Sequence, residues 1–313
     1  MKPIIFFGTP DFAVPTLAAL VTAGMSPDLV VSQPSRSARR GQKLADPPVV
    51  VAARELGIPC EQVEKVRDPE FLARLAELAP GVAVVVAFGQ LFPRALLALP
   101  RHGCINLHAS LLPRWRGAAP IQAAIAAGDP VSGVTTMIME EGLDSGPILL
   151  QAELALGGRE TSGELSERLA ALGGPLVVET LRGLLAGSLE PRPQDESLVT
   201  LAPKIRKGEA RTRWDLPAFA LERTVRAFQP WPGAELPFGG EWVRVIAATV
   251  PVAPITSHAA PGTVVAIERD RLLVATGEGS AIAIERAQRA GRGPVSGGEL
   301  ARALHLALSD RLT

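Results

Sequence analysis

From Pro3 to Ala152 the chain alternates short apolar runs with stretches of helical periodicity, and that alternation restricts it to few architectures. The runs are Pro3–Phe7, Leu29–Ser32, Val82–Ala87, Cys104–His108, Val134–Met139 and Ile148–Ala152. Val82–Ala87 is almost wholly small or β-branched and apolar, which suits a strand buried on both faces. Helices are expected from the Pro10-Asp11 turn to about Gly24, over Pro47–Leu56 with Gly57 as the stop, and over Pro69–Ala79. Thr161-Ser-Gly-Glu164 is a capping box: the Thr hydroxyl and the Glu carboxylate satisfy orphan N–H groups of the helix that follows. Strand alternating with helix predicts an α/β fold, a doubly wound and mostly parallel sheet with helices on both faces. Ligands of such a sheet bind beyond the carboxyl ends of its strands.

The texture changes after residue 189. Glu190-Pro-Arg-Pro-Gln-Asp-Glu196 is polar, proline-bearing and aperiodic, and marks a linker over 190–206. The expected division is a first domain over 1–189 and a second over 207–313. In the second, a helix fits Leu216–Phe228, and short strands fit Trp242–Ala247, Gly262–Ile267, Leu272–Thr276 and Ala281–Glu285. Gly and Pro punctuation between them favours a small β-barrel. Ser296-Gly-Gly-Glu299 is a second capping box, opening a last helix over Leu300–Leu308. Trp214, Trp231 and Trp242 are read as core or interface side chains rather than as platforms for bases.

Composition narrows the classes of function. No run of 18 uncharged apolar residues occurs, so no membrane partner is expected. Asp11 interrupts the opening apolar stretch too early for a secretory signal, and a cytoplasmic protein is expected, with no obligate protein partner evident. Cys60 and Cys104 make neither a disulfide framework nor a metal set, and the four histidines stand singly, so no metal is expected. Phe7-Gly-Thr-Pro-Asp11 does not supply GxGxxG, which argues against a nicotinamide cofactor. The formal net charge of zero conceals a split. Up to residue 203 there are 17 basic and 21 acidic residues, and from Lys204 onward 15 and 11, so −4 is followed by +4. A basic second part fits a polyanionic partner. Arg36-Ser-Ala-Arg-Arg-Gly-Gln-Lys43 adds a run of four cations with no anion.

One constellation carries chemistry. Asn106 and His108 lie two apart on an expected strand, so their side chains share one face at its carboxyl end. An amide beside an imidazole can donate hydrogen bonds to an oxygen that becomes negative during acyl transfer. Asp144, in the Gly- and Pro-bounded loop Glu140-Glu-Gly-Leu-Asp-Ser-Gly-Pro147, is a carboxylate able to govern the protonation of His108 and to relay a proton. No serine or cysteine nucleophile is demanded, because an amine substrate can attack directly.

Asn106-Leu-His108, Ser110-Leu-Leu-Pro113, Arg114-Trp-Arg-Gly-Ala-Ala-Pro-Ile-Gln122 and Gly142-Leu-Asp-Ser-Gly146 together resemble the formyltransferases that use 10-formyltetrahydrofolate. Phe7-Gly-Thr-Pro-Asp-Phe12, the basic loop from Gln33 to Lys43 and Arg226-Ala-Phe-Gln-Pro-Trp-Pro232 are similar to the branch that formylates methionine on initiator tRNA. The resemblance implies a Rossmann-like first domain and an OB-like, tRNA-binding second domain. It implies that Asn106, His108 and Asp144 are catalytic, and that Phe88, Ser110, Leu111, Leu112 and Pro113 bind the folate. It also implies that Arg36, Arg39, Arg40 and Lys43 contact tRNA, with 10-formyltetrahydrofolate and methionyl initiator tRNA as the two substrates. Phe88 departs from a tyrosine common in the family, and Ala109, Ser35 and Ser37 depart near the two loops. The alternatives are a formyltransferase for another amine, a sugar nucleotide or glycinamide ribonucleotide, and a non-catalytic tRNA-binding protein on the same scaffold. A nucleotide-sized substrate needs neither the basic loop nor the second-domain signature, and the intact trio argues for catalysis.

Overall fold

Two runs that are apolar at nearly every position, Ile4–Gly8 and Val82–Val86, lie side by side in the middle of a seven-stranded sheet and are buried throughout. The computed structural model describes residues 3–37, 44–251 and 259–312. In chain order the strands of the first part are β1 (Ile4–Gly8), β2 (Leu29–Ser32), β3 (Arg36–Ser37), β4 (Leu44–Ala45), β5 (Cys60–Gln62), β6 (Val82–Val86), β7 (Cys104–His108), β8 (Arg116–Gly117), β9 (Val131–Ile138), β10 (Ile148–Ala155) and β11 (Leu201–Ala202). The helices are α1 (Val14–Thr22), α2 (Pro48–Glu55), α3 (Pro69–Glu77), α4 (Arg94–Leu97), α5 (Pro120–Ala127) and α6 (Ser162–Ala186).

The main sheet runs β10-β9-β7-β6-β1-β2-β5. Every pair from β7 to β5 is parallel, whereas β9 is antiparallel to both β7 and β10. That makes the sheet mostly parallel, as the alternation predicts, with a reversed edge that periodicity could not register. The reversal matters for the site. β9 ends beside the start of β7, where the Met139 N–H donates to Cys104 O at 2.7 Å, so the loop that follows must double back to reach His108. Two side-chain-free positions bring α6 close: a Cβ on Gly173 would stand 2.4 Å from Leu107 of β7, and one on Gly174 3.0 Å from α1. α6 has the length and apolar character of a membrane span, but half of its apolar window is buried inside the protein.

Chain compactness divides the molecule differently from a single cut near residue 190. The first unit comprises residues 1–120, 131–155 and 166–203, and the second comprises 121–130, 156–165 and 204–313. The segment from Glu190, expected as a linker, belongs to the first unit up to Pro203. Arg192 bridges Ile148, and β11 pairs in parallel with β8. An aperiodic segment can be held by such short backbone bridges, which composition does not reveal.

The second unit contains α7 (Ala218–Ala227), β12 (Ala234–Phe238), β13 (Glu241–Thr249), β14 (Val264–Ile267), β15 (Leu272–Ala275), β16 (Ala281–Gln288), β17 (Val295–Ser296) and α8 (Gly297–Ala303). Its antiparallel sheet follows the path β12-β13-β16-β15-β14, with β17 on β16, the partly open form of an OB-like barrel. β12 escapes the sequence pattern because Pro237 sits inside it, on an edge strand where a missing N–H is tolerated. Trp214 is 1% exposed, packs edge-on to Phe238 and donates its indole N–H to Pro237 O at 2.9 Å. It is a core residue, while Trp231 and Trp242 are 54% and 37% exposed. The Ser296–Glu299 capping box opens α8, which stops at Ala303 rather than Leu308. His305 has φ +55°, and Asp310 and Leu312 turn back onto Val264 and Gly262.

Cys104 is 1% exposed, and burial pushes its thiol up to about 12, so the reactive thiolate is suppressed. Cys60 is half-buried on the sheet edge. Alkylation of the native protein near pH 8 should therefore label one thiol, with the second appearing only on unfolding. Mass spectrometry of native and denatured samples checks this, and rapid native labelling of Cys104 would contradict it.

Candidate active site

β7 is buried at four of its five positions and half-open at Asn106. Its register places Asn106 opposite Val85 of β6 and Met137 of β9, deep enough to be ordered and still reachable. The Asn106 carboxamide makes no hydrogen bond to the described residues, so its N–H groups are available to a ligand. His108, on the same face, is 6% exposed.

Both edges of the His108 ring are addressed. Nε2 lies 2.9 Å from Trp115 O. A carbonyl only accepts, so Nε2 carries a hydrogen and donates it, which leaves Nδ1 as the variable nitrogen. Nδ1 stands 3.7 Å from Asp144 Oδ2, ion-pair distance for a protonated ring and beyond the reach of a direct hydrogen bond. The same carboxylate oxygen accepts the Gly117 N–H at 2.8 Å.

Local structure builds this arrangement from the loop after β7. The Ser110 hydroxyl donates to Arg114 O at 2.6 Å. The Thr135 hydroxyl donates to Ser110 O at 2.7 Å and accepts the Leu112 N–H at 3.1 Å, and the Gln151 amide donates to Leu112 O at 2.9 Å. Trp115 and Asp144 both have left-handed backbones, φ +64° and +49°, which non-glycine residues adopt when neighbours hold them there. The neighbours are identifiable. Thr200 Oγ1 accepts the Trp115 N–H at 2.8 Å, and the Gln194 amide donates to Asp144 O at 2.8 Å and Gly146 O at 2.7 Å. Arg116, 6% exposed, donates Nε to Gln194 Oε1 at 3.0 Å and forks onto Glu196 at 2.8 and 3.2 Å. That guanidinium hydrogen-bonds the Glu196 carboxyl and holds it below the usual carboxylate range.

The expected site residues are distributed as follows. Asn106, His108 and Asp144 come together from one strand and the loop that follows β9. Ser110 and Leu112 are 1% and 3% exposed, and Leu112 packs with Met137 and Ile148, so Leu111 and Pro113 are the half-open members of their loop. The Phe88 ring is not presented to a ligand: it is 2% exposed and sits edge-on to Phe7 and Phe92. Its backbone oxygen is occupied as well, by Thr9 and Gln33. A contribution from this loop must come from exposed Ala87 and Gly89 beside it. Arg36 is in β3, which pairs with β4, while Arg39, Arg40 and Lys43 lie outside the described residues. Sequence reasoning misses Arg116 as a positioned charge, and Gln194 and Thr200 altogether. Arg116 stood inside a recognisable motif; the other two carry no local signal.

An unpartnered carboxamide, an imidazole with one nitrogen fixed as donor and a carboxylate facing its other nitrogen can stabilise a developing oxyanion and move a proton. This capacity coincides with what the chain is related to. Residues 1–181 match the formyl transferase family and residues 204–305 match the formyl transferase C-terminal domain, so the chain belongs to the formyl transferases. It is 49% identical over 288 residues to a methionyl-tRNA formyltransferase of Pseudomonas fluorescens (strain SBW25), covering 92% of this chain and 89% of that one. A methionyl-tRNA formyltransferase of Magnetococcus marinus is 43% identical over 309 residues, 99% of this chain and 97% of its own length. Among solved structures, HypX from Aquifex aeolicus, in complex with tetrahydrofolic acid, superposes with a TM-score of 0.64 at 17% identity, a likeness of fold. It covers 98% of this chain, which spans 48% of HypX.

Gly117 tests the construction of the site. Its φ is +123°, and a Cβ there would stand 2.5 Å from the backbone oxygen of Ala202. Gly117→Ala should cost about 2–4 kcal/mol of stability and displace the N–H that holds Asp144. Thermal unfolding and formyl-transfer rates measured on one preparation check it, and unchanged values in both would remove Gly117 from the scaffold of the site.

Proposed function

We propose that the chain transfers the formyl group of 10-formyltetrahydrofolate to the α-amine of methionine carried on initiator tRNA. The reading is carried by the juxtaposition of the free Asn106 carboxamide, His108 and Asp144 in a chain nearly half identical to methionyl-tRNA formyltransferases. Leu111 and Pro113, with the Ala87–Gly89 turn, are the residues to hold the folate, whose part is to supply the formyl carbon.

In this mechanism the neutral amine attacks the formyl carbon, and a C–N bond forms as charge passes to the formyl oxygen. Asn106 donates to that oxygen. His108 can donate only from Nδ1, since Nε2–H is engaged by Trp115 O, and only while Nδ1 is protonated. The facing Asp144 carboxylate is placed to pair with that proton and to accept the one the attacking nitrogen must lose, which it then returns to the leaving nitrogen. Collapse breaks the bond to the donor nitrogen, which takes up a proton, so charge and protons balance. Tyrosine's hydroxyl is absent at Phe88, and the buried Phe88 ring leaves recognition to the backbone there. The four cations in the sequence of the basic loop and the +4 of the second part supply the positive charge that tRNA phosphates call for.

Asn106→Ala or His108→Ala should lower turnover about 10²–10³-fold with folate binding little changed. Asp144→Asn should lower it steeply and move or abolish the acid limb of the pH–rate profile. Labelled formyl donor with charged initiator tRNA, and elongator methionyl-tRNA as control, provides the assay. Near-normal turnover in folded variants would refute the assigned roles. Transfer to a sugar nucleotide or glycinamide ribonucleotide and not to tRNA would refute the acceptor.

Arg40→Ala together with Arg39→Ala should weaken tRNA use by roughly 1–3 kcal/mol and flatten the log–log salt dependence by about one unit for each phosphate no longer neutralised. Folate binding should be unaffected. Tight tRNA use with an unchanged salt slope in the double variant would reduce the loop to a solvated charge run.

A further inference from the structure

The segment from Arg192 to Ala202 crosses the first unit and ends its polar contacts on the Asp144 loop and on the loop after β7 that addresses His108. Its large apolar side chains do not explain its placement, since Leu198 and Leu201 are 62% and 64% exposed. What ties it down is directed and polar. Arg192 bridges Ile148, Gln194 reaches the Asp144 loop, and Thr200 and Ala202 meet the loop after β7. Resting on the roles of His108 and Asp144 above, we propose that Gln194 and Thr200 are positioning residues for formyl transfer, one setting Asp144 and the other setting the tautomer of His108.

The orientation of Gln194 is determined. Arg116 Nε is a donor, so the atom 3.0 Å from it must be the amide oxygen, and the amide nitrogen must face Asp144 O and Gly146 O. Both hydrogens of one amide group are thereby spent on carbonyls either side of Ser145. Arg116 cannot easily turn away, because its other nitrogens are forked on Glu196. Asp144 needs such a hold. With φ +49° its backbone is in the left-handed region, and that conformation aims Oδ2 at Gly117 N and His108 Nδ1.

Thr200 acts at one remove on the other partner. Its hydroxyl oxygen accepts the N–H of Trp115, which also has a left-handed backbone at φ +64°. That peptide orientation presents Trp115 O to His108 Nε2. A carbonyl at Nε2 dictates a hydrogen there and keeps Nδ1 as the nitrogen that exchanges a proton beside Asp144. A single segment therefore holds both members of the proton-moving pair through backbone atoms, without touching either side chain.

The test compares steady-state pH profiles of the full chain, with formyl-folate donor and charged initiator tRNA, for wild type, Q194A, T200V, T200S and D144N. Q194A should lower kcat about 10- to 100-fold, with KM for the folate changed less than about twofold. Its acid limb should move in the direction seen in D144N, and Q194A added to D144N should cost less than about twofold more, because both act on one group. T200V, which keeps the shape and removes the acceptor, should lower kcat about 10-fold, and T200S should restore it. A purely structural role would lower melting temperature without moving the acid limb and would add its loss to that of D144N. Wild-type kcat and pH profile in Q194A and T200V, beside an impaired D144N, would overturn the proposal alone. Full activity of D144N would overturn the underlying assignment of Asp144, and the proposal with it. If Q194A does not fold, the T200V and T200S pair decides, since its valine and serine preserve volume or hydroxyl in turn.

Discussion

The His108 ring, held at one nitrogen by the Trp115 carbonyl and faced at the other by the Asp144 carboxylate, is the point on which the site depends. An imidazole left to itself offers either nitrogen as donor, and acyl transfer assisted by it would be divided among tautomers. Fixing Nε2 as the donor removes that ambiguity and makes the Nδ1–Asp144 edge the place where a proton can come and go. The surrounding sequence can be understood as what it takes to hold two main-chain segments in left-handed conformations around this ring. Glycines at 117 and 146 allow the close approaches, and a Cβ at Gly146 would fall 1.8 Å from Ile138 O.

The reversed edge of the sheet bears directly on how the candidate site is built. Because β9 runs against β7, the loop after it starts near Cys104 and must fold back to deliver Asp144 to the far end of β7. A loop so placed cannot rely on strand geometry to aim its carboxylate. It relies on the Gln194 amide and the Gly117 N–H, and Gln194 relies in turn on Arg116 and Glu196. Asn106 is different. It sits inside a ladder between Val85 and Met137, so the sheet positions it directly and it needs no such support.

Much of this was legible in the residues. The apolar runs place β1, β6 and β7, and two-residue alternation puts Asn106 and His108 on one face, because a strand's side-chain period leaves no choice. Both capping boxes form, since their hydrogen bonds are local. Phe88 shows the limit: its position near the site was readable, but whether its ring faces the folate or the core depended on Phe7 and Phe92, which come from β1 and the turn after β6.

By itself, then, the sequence determined the strand and helix alternation, the shared face of the amide and imidazole, and the family to which the chain belongs. All of these are written in neighbouring residues. Only the tertiary structure decided that the edge strands reverse, that His108 is locked in one tautomer, and that Gln194 and Thr200, 50 residues from Asp144 and 85 from Trp115 respectively, hold the pair in register. Those contacts are one or two hydrogen bonds to backbone atoms at each residue. They leave no periodicity and no compositional trace, because a carbonyl or N–H looks the same in every residue that offers one.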